Sequence, residues 1–179
     1  RQETIRRLQA DGVMDMQKTL EMATLPRRIA VISAADAAGY GDFCHQLESN
    51  NGGFLFHTRL FPAIMQGEQS PMSIINALET IATSAEDFDV VVIVRGGGAS
   101  TDLRNFDDYS LAFHCANFPL PIIAGIGHTR DVSIVDMVAH TSVKTPTAAA
   151  EWLINCMQMQ ADKIGEWYMR LQRANQHAV

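Results

Sequence analysis

The chain has 179 residues, 47% of them hydrophobic and 19% charged, with a formal net charge of −6. That length and composition suit one globular domain with a sizeable core. The acidic balance gives no global footprint for nucleic acid, so a polyanion would have to meet a local patch. Cys44, Cys115 and Cys156 have no CxxC spacing and read as thiols of a reducing compartment, not as a disulfide frame. No run approaches the ~20 apolar residues of a membrane span, so a cytoplasmic location and no membrane contact are expected.

In chain order, residues 1–27 read as a helical lead-in. A charged amphipathic helix covers 1–10, a short helical piece runs from Asp15 to Met22, and Pro26 stops helix. This stretch reads as a tether from an upstream domain. Arg28 to Ser33 is a continuous apolar run, the mark of a strand covered on both faces. The loop that follows holds Asp36, Gly39 and Gly41, and a helix is expected from Gly41 to Glu48. Phe54 to Phe61 is the second strand, and its imperfect alternation places it near an edge. Pro62 to Pro71 reads as loop, and Ser73 to Ser84 as an amphipathic helix with Ile74, Ile75, Leu78 and Ile81 on its inner stripe.

Asp89 to Val94 is the most strongly β-branched strand. Ser100 or Thr101 can cap a helix carrying Leu103, Phe106, Leu111 and Phe113. Pro121 to Ile126 is the fourth strand, and Asp131 to Val138 a short helix. Thr145-Pro146 opens the last helix, with Thr at N-cap and Pro at N1. Strands alternating with helices predict an α/β fold: an open, mostly parallel, Rossmann-like sheet of four to five strands with helices on both faces, plus a long C-terminal helix. The domain reading is lead-in 1–27, α/β domain 28–145 and long helix 146–179. In that helix Leu153, Met157, Gln160, Ile164, Trp167 and Leu171 follow a heptad spacing. It reads as the base of a coiled coil, with packing on its own domain or self-association as the alternatives.

Two glycine-rich turns carry the chemistry. Arg95-Gly96-Gly97-Gly98 and Gly125-Ile126-Gly127-His128 each follow a strand and precede an acid in a helix start, Asp102 and Asp131. Bare glycines let backbone N–H groups approach an anion, and a helix start favours negative charge. Gly96, Gly97, Gly98, Gly127 and Ser100 are therefore candidate phosphate contacts. Arg95 can fork onto two phosphate oxygens. His128 can donate to phosphate or move a proton near neutral pH. Asp131, three residues on, can orient His128 or activate water. Asp42 can point at the same sheet edge, and Asp42, Asp102 and Asp131 are candidate Mg²⁺ ligands. Lys144, His140, Arg104 and Arg130 can add positive charge. Both turns lack the third glycine of the dinucleotide fingerprint, and no GxxxxGK[ST] is present, which weighs against a nucleotide cofactor.

These residues also resemble a known family. Val94 to Leu103, then Phe106-Asp107, is similar to the RGGGSxxDLxxFN signature of the large subunit of bacterial exodeoxyribonuclease VII. Pro121 to His128 with Asp131 resembles its PVIxxIGHExD, Asp136 to His140 its DxVAD, and Lys144 to Glu151 its RxxTPxxAAE. The resemblance implies hydrolysis of single-stranded DNA from either end to short oligonucleotides, in DNA catabolism and repair. It implies a site built from the residues matching Asp42, Arg95, His128 and Asp131. It further implies an upstream OB-fold that binds single strands, and a coiled coil beyond residue 179 that recruits small subunits. Three positions and one loop depart from the pattern: Thr129 replaces the glutamate of GHExD, Ser33 to Gly39 stands where the family usually has a Ser/Thr-Xaa-Thr-Gly-Ala loop, His140 replaces an aspartate, and Ser142 stands where many members have arginine. If the missing glutamate served in water activation, a slow or inactive chain is expected. The rival reading is a non-catalytic module of the same fold that binds phosphate or assembles subunits.

Overall fold

The computed structural model describes residues 1–95, 103–127 and 131–178. Its centre is a parallel sheet of β1 (Arg28–Ser33), β2 (His57–Pro62), β3 (Val90–Val94), β4 (Ile122–Gly125) and β5 (Thr141–Ser142), in the order β2-β1-β3-β4-β5. All four pairings are parallel, as the uninterrupted apolar runs require. β2 is an edge strand, as its weak alternation predicts, and its first three residues are exposed.

The two faces of the sheet divide by strand alternation. Ala30, Ile32, Val91, Ile93, Ile122 and Ala124 point into one core, with α3 (Ser70–Ala82), α4 (Tyr109–Asn117) and α5 (Ile134–Val138) packed over them. Ile29, Val31, Val90, Val92, Val94 and Ile123 point into the other, against α2 (Ala38–Glu48) and the start of α6 (Pro146–His177).

The lead-in packs on the first of these cores. Leu8 of α1 (Gln2–Ala10) and Val13 are buried in it. Gln17, fully buried in a short 3₁₀ turn, donates to Phe118 O at 2.9 Å and Leu120 O at 3.1 Å. Its Oε1 accepts the Ile122 N–H at 2.8 Å. One side chain thus serves the backbone that enters β4.

Several boundaries differ from the sequence reading for local reasons. α2 starts at Ala38, three residues early, and sets Gly39, Phe43 and Leu47 on one buried stripe. β2 starts at His57 because Asn50 holds the preceding turn: its amide accepts Phe54 N–H at 2.9 Å and donates to Phe54 O at 2.8 Å. α3 begins at Ser70, with Pro71 in its first turn, where a missing N–H costs nothing. Ser100 and Thr101 lie outside the described residues; beyond them comes a 3₁₀ turn, Arg104–Asp107, and then α4, capped by Asp108 accepting from Leu111 N–H at 2.8 Å. The helix expected from Asp131 begins at Ile134, behind a Ser133–Asp136 capping box. Thr145 and Pro146 open α6 as the spacing predicts, with Thr145 Oγ1 accepting Ala148 N–H at 3.0 Å.

α6 changes character along its 32 residues. Ala149, Ala150, Leu153 and Met157 are buried on the sheet. Beyond them Ile164, Trp167, Tyr168 and Leu171 are all at least 60% exposed. No helix among the described residues is long and apolar enough to cross a membrane.

Candidate functional site

Strand register places the two glycine turns. β3 and β4 are neighbours, with Val94 paired to Gly125, and the Arg95 N–H reaches Gly125 O at 3.5 Å. Arg95 and Gly127 therefore leave adjacent strands at the same carboxyl edge. The strand order reverses between β1 and β3, and in open α/β sheets ligands sit beyond the strand ends at that switch point. A cleft of about 640 Å³ opens there. Ala34–Ala38 after β1, Pro62–Gln66 after β2, Ser73 of α3 and Arg95 line it.

Arg95 is partly buried, so its guanidinium is the described cation of this cleft. Asp36, Gln66 and Ser73 are the other polar side chains in the lining. Ser73 Oγ accepts Ile64 N–H at 2.8 Å and so holds the wall after β2. These three escaped the sequence reading because each lies on a loop or helix start whose neighbours are far away in sequence. Asp36 had a signal, its place in the loop after the first strand.

The second turn is held from behind. A Cβ on Gly127 would stand 2.9 Å from Asp131 O and 3.0 Å from Asp136 Oδ2. A Cβ on Gly125 would stand 3.2 Å from Val94 Cγ1 and 3.4 Å from Thr145 O. Gly125 thus serves the close approach of the α6 start to β4, and Gly127 the close approach of Asp136 and the Asp131 backbone. Three successive residues after Asp131 are also tied. Arg1 donates to Val132 O at 2.6 Å, Ser133 N–H donates to Asp136 Oδ2 at 2.9 Å, and Ile134 N–H donates to Asp107 Oδ1 at 2.8 Å.

Asp136 is the buried carboxylate of the region, 5% exposed. Burial pushes its pKa up; hydrogen bonds from Ser133 and Ser142 and the charge of Lys144 pull the other way without cancelling it. Sequence reasoning missed Asp136 and Asp107 as site-building residues. The Ser133-x-x-Asp136 spacing was the available signal for the first.

The remaining candidates fall as follows. Asp131 is exposed at the far side of the second turn. Asp42 is exposed on α2 and is not in the cleft lining. His140, partly buried, hydrogen-bonds Thr141 Oγ1 at 2.8 Å and Leu20 O at 3.2 Å, which occupies both ring nitrogens. Gly96, Gly97, Gly98, Ser100, Asp102, His128, Thr129 and Arg130 lie outside the described residues. Among the described residues no group of three His, Cys, Asp or Glu side chains gathers as a cation site. Of the three Mg²⁺ candidates, Asp42 and Asp131 are described and Asp102 is not. The cysteines are free thiols, and burial pushes Cys115 up to about 12, which suits packing and not nucleophilic work.

Residues 13–179 match the family model described as "Exonuclease VII, large subunit". The chain is 38% identical over 148 residues to the exodeoxyribonuclease 7 large subunit of Nostoc sp. (strain PCC 7120), covering 83% of this chain and 35% of that protein. It is 34% identical over 170 residues to that of Tolumonas auensis, covering 95% and 37%. With the large subunit of Acaryochloris marina it shares 34% over 156 residues, covering 87% and 37%. The chain therefore spans little more than a third of the length of the curated relatives it matches. By sequence match along nearly its whole length, the chain belongs to the exonuclease VII large-subunit family.

Proposed function

We propose that this chain is the catalytic α/β part of an exodeoxyribonuclease VII large subunit, which hydrolyses phosphodiester bonds of single-stranded DNA from either end to short oligonucleotides. The observation that carries the reading is the β3–β4 register, which sets Arg95, a lining residue of the cleft, beside Gly125 at the end of β4. Family membership supplies the reaction class.

In this reading Arg95 forks onto the scissile phosphate and stabilises the charge that grows in the transition state. His128 protonates the leaving oxygen. Asp131 orients the attacking water. Asp42, expected from the sequence to share that work, and Asp131 both stand outside the cleft lining; the water is assigned to Asp131 because its segment follows β4, the strand beside Arg95. The exposed stripe Ile164, Trp167 and Leu171 continues the heptad seam away from the sheet and suits assembly with small subunits through a coiled coil. A role in DNA catabolism and repair in the cytoplasm goes with this reading.

The test is degradation of a labelled single-stranded oligonucleotide by the full-length large subunit assembled with its small subunit, with and without EDTA. Arg95→Ala, His128→Ala and Asp131→Ala should each cost at least ~100-fold in rate, the scale of a lost transition-state donor or general acid. Near-normal cleavage by all three would leave the assembly-module reading in its place.

A further inference from the structure

We infer that Asp136 is a positioning residue of the proposed nuclease site, holding Gly127 and Asp131 in their close approach from behind the turn. The inference rests on the nuclease reading above. It starts from the fact that a carboxylate is an expensive group to bury, tolerated only where hydrogen bonds compensate. Asp136 is buried all the same, on a helix of five residues. A capping box needs an acid at this spacing but does not need it in the interior.

The geometry shows what else the carboxylate meets. Oδ2 accepts from Ser133 N–H at 2.9 Å and Ser133 Oγ at 2.7 Å. Oδ1 accepts from Ser142 Oγ of β5 at 3.3 Å. Oδ2 is also the atom that a Cβ on Gly127 would meet at 3.0 Å, with Asp131 O at 2.9 Å on the other contact. The Asp136 carboxylate and the Asp131 carbonyl thus both crowd the place where a side chain on Gly127 would start. One side chain joins the start of α5 and strand β5 and stands against Gly127. Lys144 is the cation whose charge acts on it.

A carboxylate in that place sets where Asp131 stands relative to Arg95. Displacements near 1 Å cost on the order of 100-fold in rate. A plain capping role would instead show as a lowered thermal midpoint with catalysis unchanged.

The experiment uses the full-length large subunit with its small subunit and a single-stranded oligonucleotide, reading kcat, KM and thermal midpoint. Asp136→Ala should lower kcat ~10- to 100-fold with KM changed less than ~3-fold, and Gly127→Ala should do the same. Asp136→Asn keeps the volume and an acceptor oxygen and should recover most of kcat. In an Asp131→Ala background, Asp136→Ala should cost less than ~3-fold more, because the group it positions is gone. Wild-type kcat in folded Asp136→Ala, or full multiplication of its loss with that of Asp131→Ala, overturns the inference. Should Asp136→Ala fail to fold, Asp136→Asn and Gly127→Ala carry the test: wild-type kcat in Gly127→Ala, or no recovery in Asp136→Asn, overturns it. Normal cleavage by Arg95→Ala and Asp131→Ala overturns the nuclease reading itself and this inference with it. Their loss alongside normal Asp136 and Gly127 variants overturns the inference alone.

Discussion

Asp107 accepts the backbone N–H of Ile134 at 2.8 Å, and so joins the segment after the first glycine turn to the segment after the second. The same carboxylate takes a salt bridge from Arg1 at 2.9 Å. Sheet register brings Arg95 and Gly125 to one edge; this side-chain bond then ties Asp107 to the start of α5. The exposed Arg1 partner adds little, since exposed ion pairs are screened. The Ile134 N–H belongs to the unsatisfied first turn of α5 and has no other partner in reach of an intrahelical bond. Asp107→Ala should therefore cost about 1–3 kcal/mol, the penalty of an orphaned buried donor. Asp107→Asn, which keeps an acceptor, should cost less than half of that. Urea unfolding curves of the two variants check both statements.

Gln17 ties the lead-in to β4 through three hydrogen bonds, all to backbone groups. Gln17→Leu keeps the volume but strands two carbonyls and one N–H in the interior. The expected loss is about 3 kcal/mol or more, from several unmet polar groups at ~1–3 kcal/mol each. Gln17→Glu fares no better, because a carboxylate cannot donate to Phe118 O or Leu120 O. A urea midpoint for Gln17→Leu within error of wild type would show that residues 1–27 unfold separately from the sheet.

These two residues mark the limit of what the amino-acid pattern reveals. The strands were legible because 28–33 and 90–94 are unbroken apolar runs, and burial on both faces is the physical cause of such runs. The start of α6 was legible because a Thr-Pro pair is a local device with a local mechanism. Gln17 and Asp107 work through partners about 100 and 27 residues away, and a polar side chain does not announce a distant backbone partner. β5 escaped definition because two residues, Thr141 and Ser142, carry no hydrophobic signal. At the candidate site, the strand-end places of Arg95, Gly125 and Gly127 were legible from the apolar runs before them, while Gly96, Gly97 and Gly98 lie outside the described residues. Asp136, Asp36 and Ser73 were not, since only the fold decides which loops and helix starts face the same edge.

The change in burial along α6 gives a third prediction. Leu153 is fully buried between α6 and the sheet, whereas Trp167 is 64% exposed. Leu153→Ala should cost about 2–5 kcal/mol, the range for emptying a leucine site in a core. Trp167→Ala should leave the unfolding free energy of this chain within ~0.5 kcal/mol. If the outer half of α6 serves assembly, the same Trp167→Ala change should weaken co-purification of the small subunit with the full-length large subunit. A stability loss at Trp167 matching that at Leu153 would mean that the outer half packs on the α/β body.

Two aspartates give opposite pH signatures. Burial pushes Asp136 above the ordinary 3.8, with the Ser133 hydrogen bonds only partly offsetting it. An acid whose folded pKa is raised favours folding in its protonated form. Its contribution is full below 3.8 and is lost as pH rises through the folded value. For Asp89 burial also pushes up, but the Arg28 side chain, two backbone N–H groups and the Arg28 charge outweigh it, and the net shift is downward. Its contribution is present above 3.8 and is lost as pH falls through the folded value. Urea midpoints from about pH 2.5 to 7 for wild type, Asp136→Asn and Asp89→Asn test this. The wild-type advantage over Asp136→Asn should shrink as pH rises above 3.8. The advantage over Asp89→Asn should shrink as pH falls below it. Two difference curves with the same slope would mean that one of the two carboxylates is not held as the structure shows.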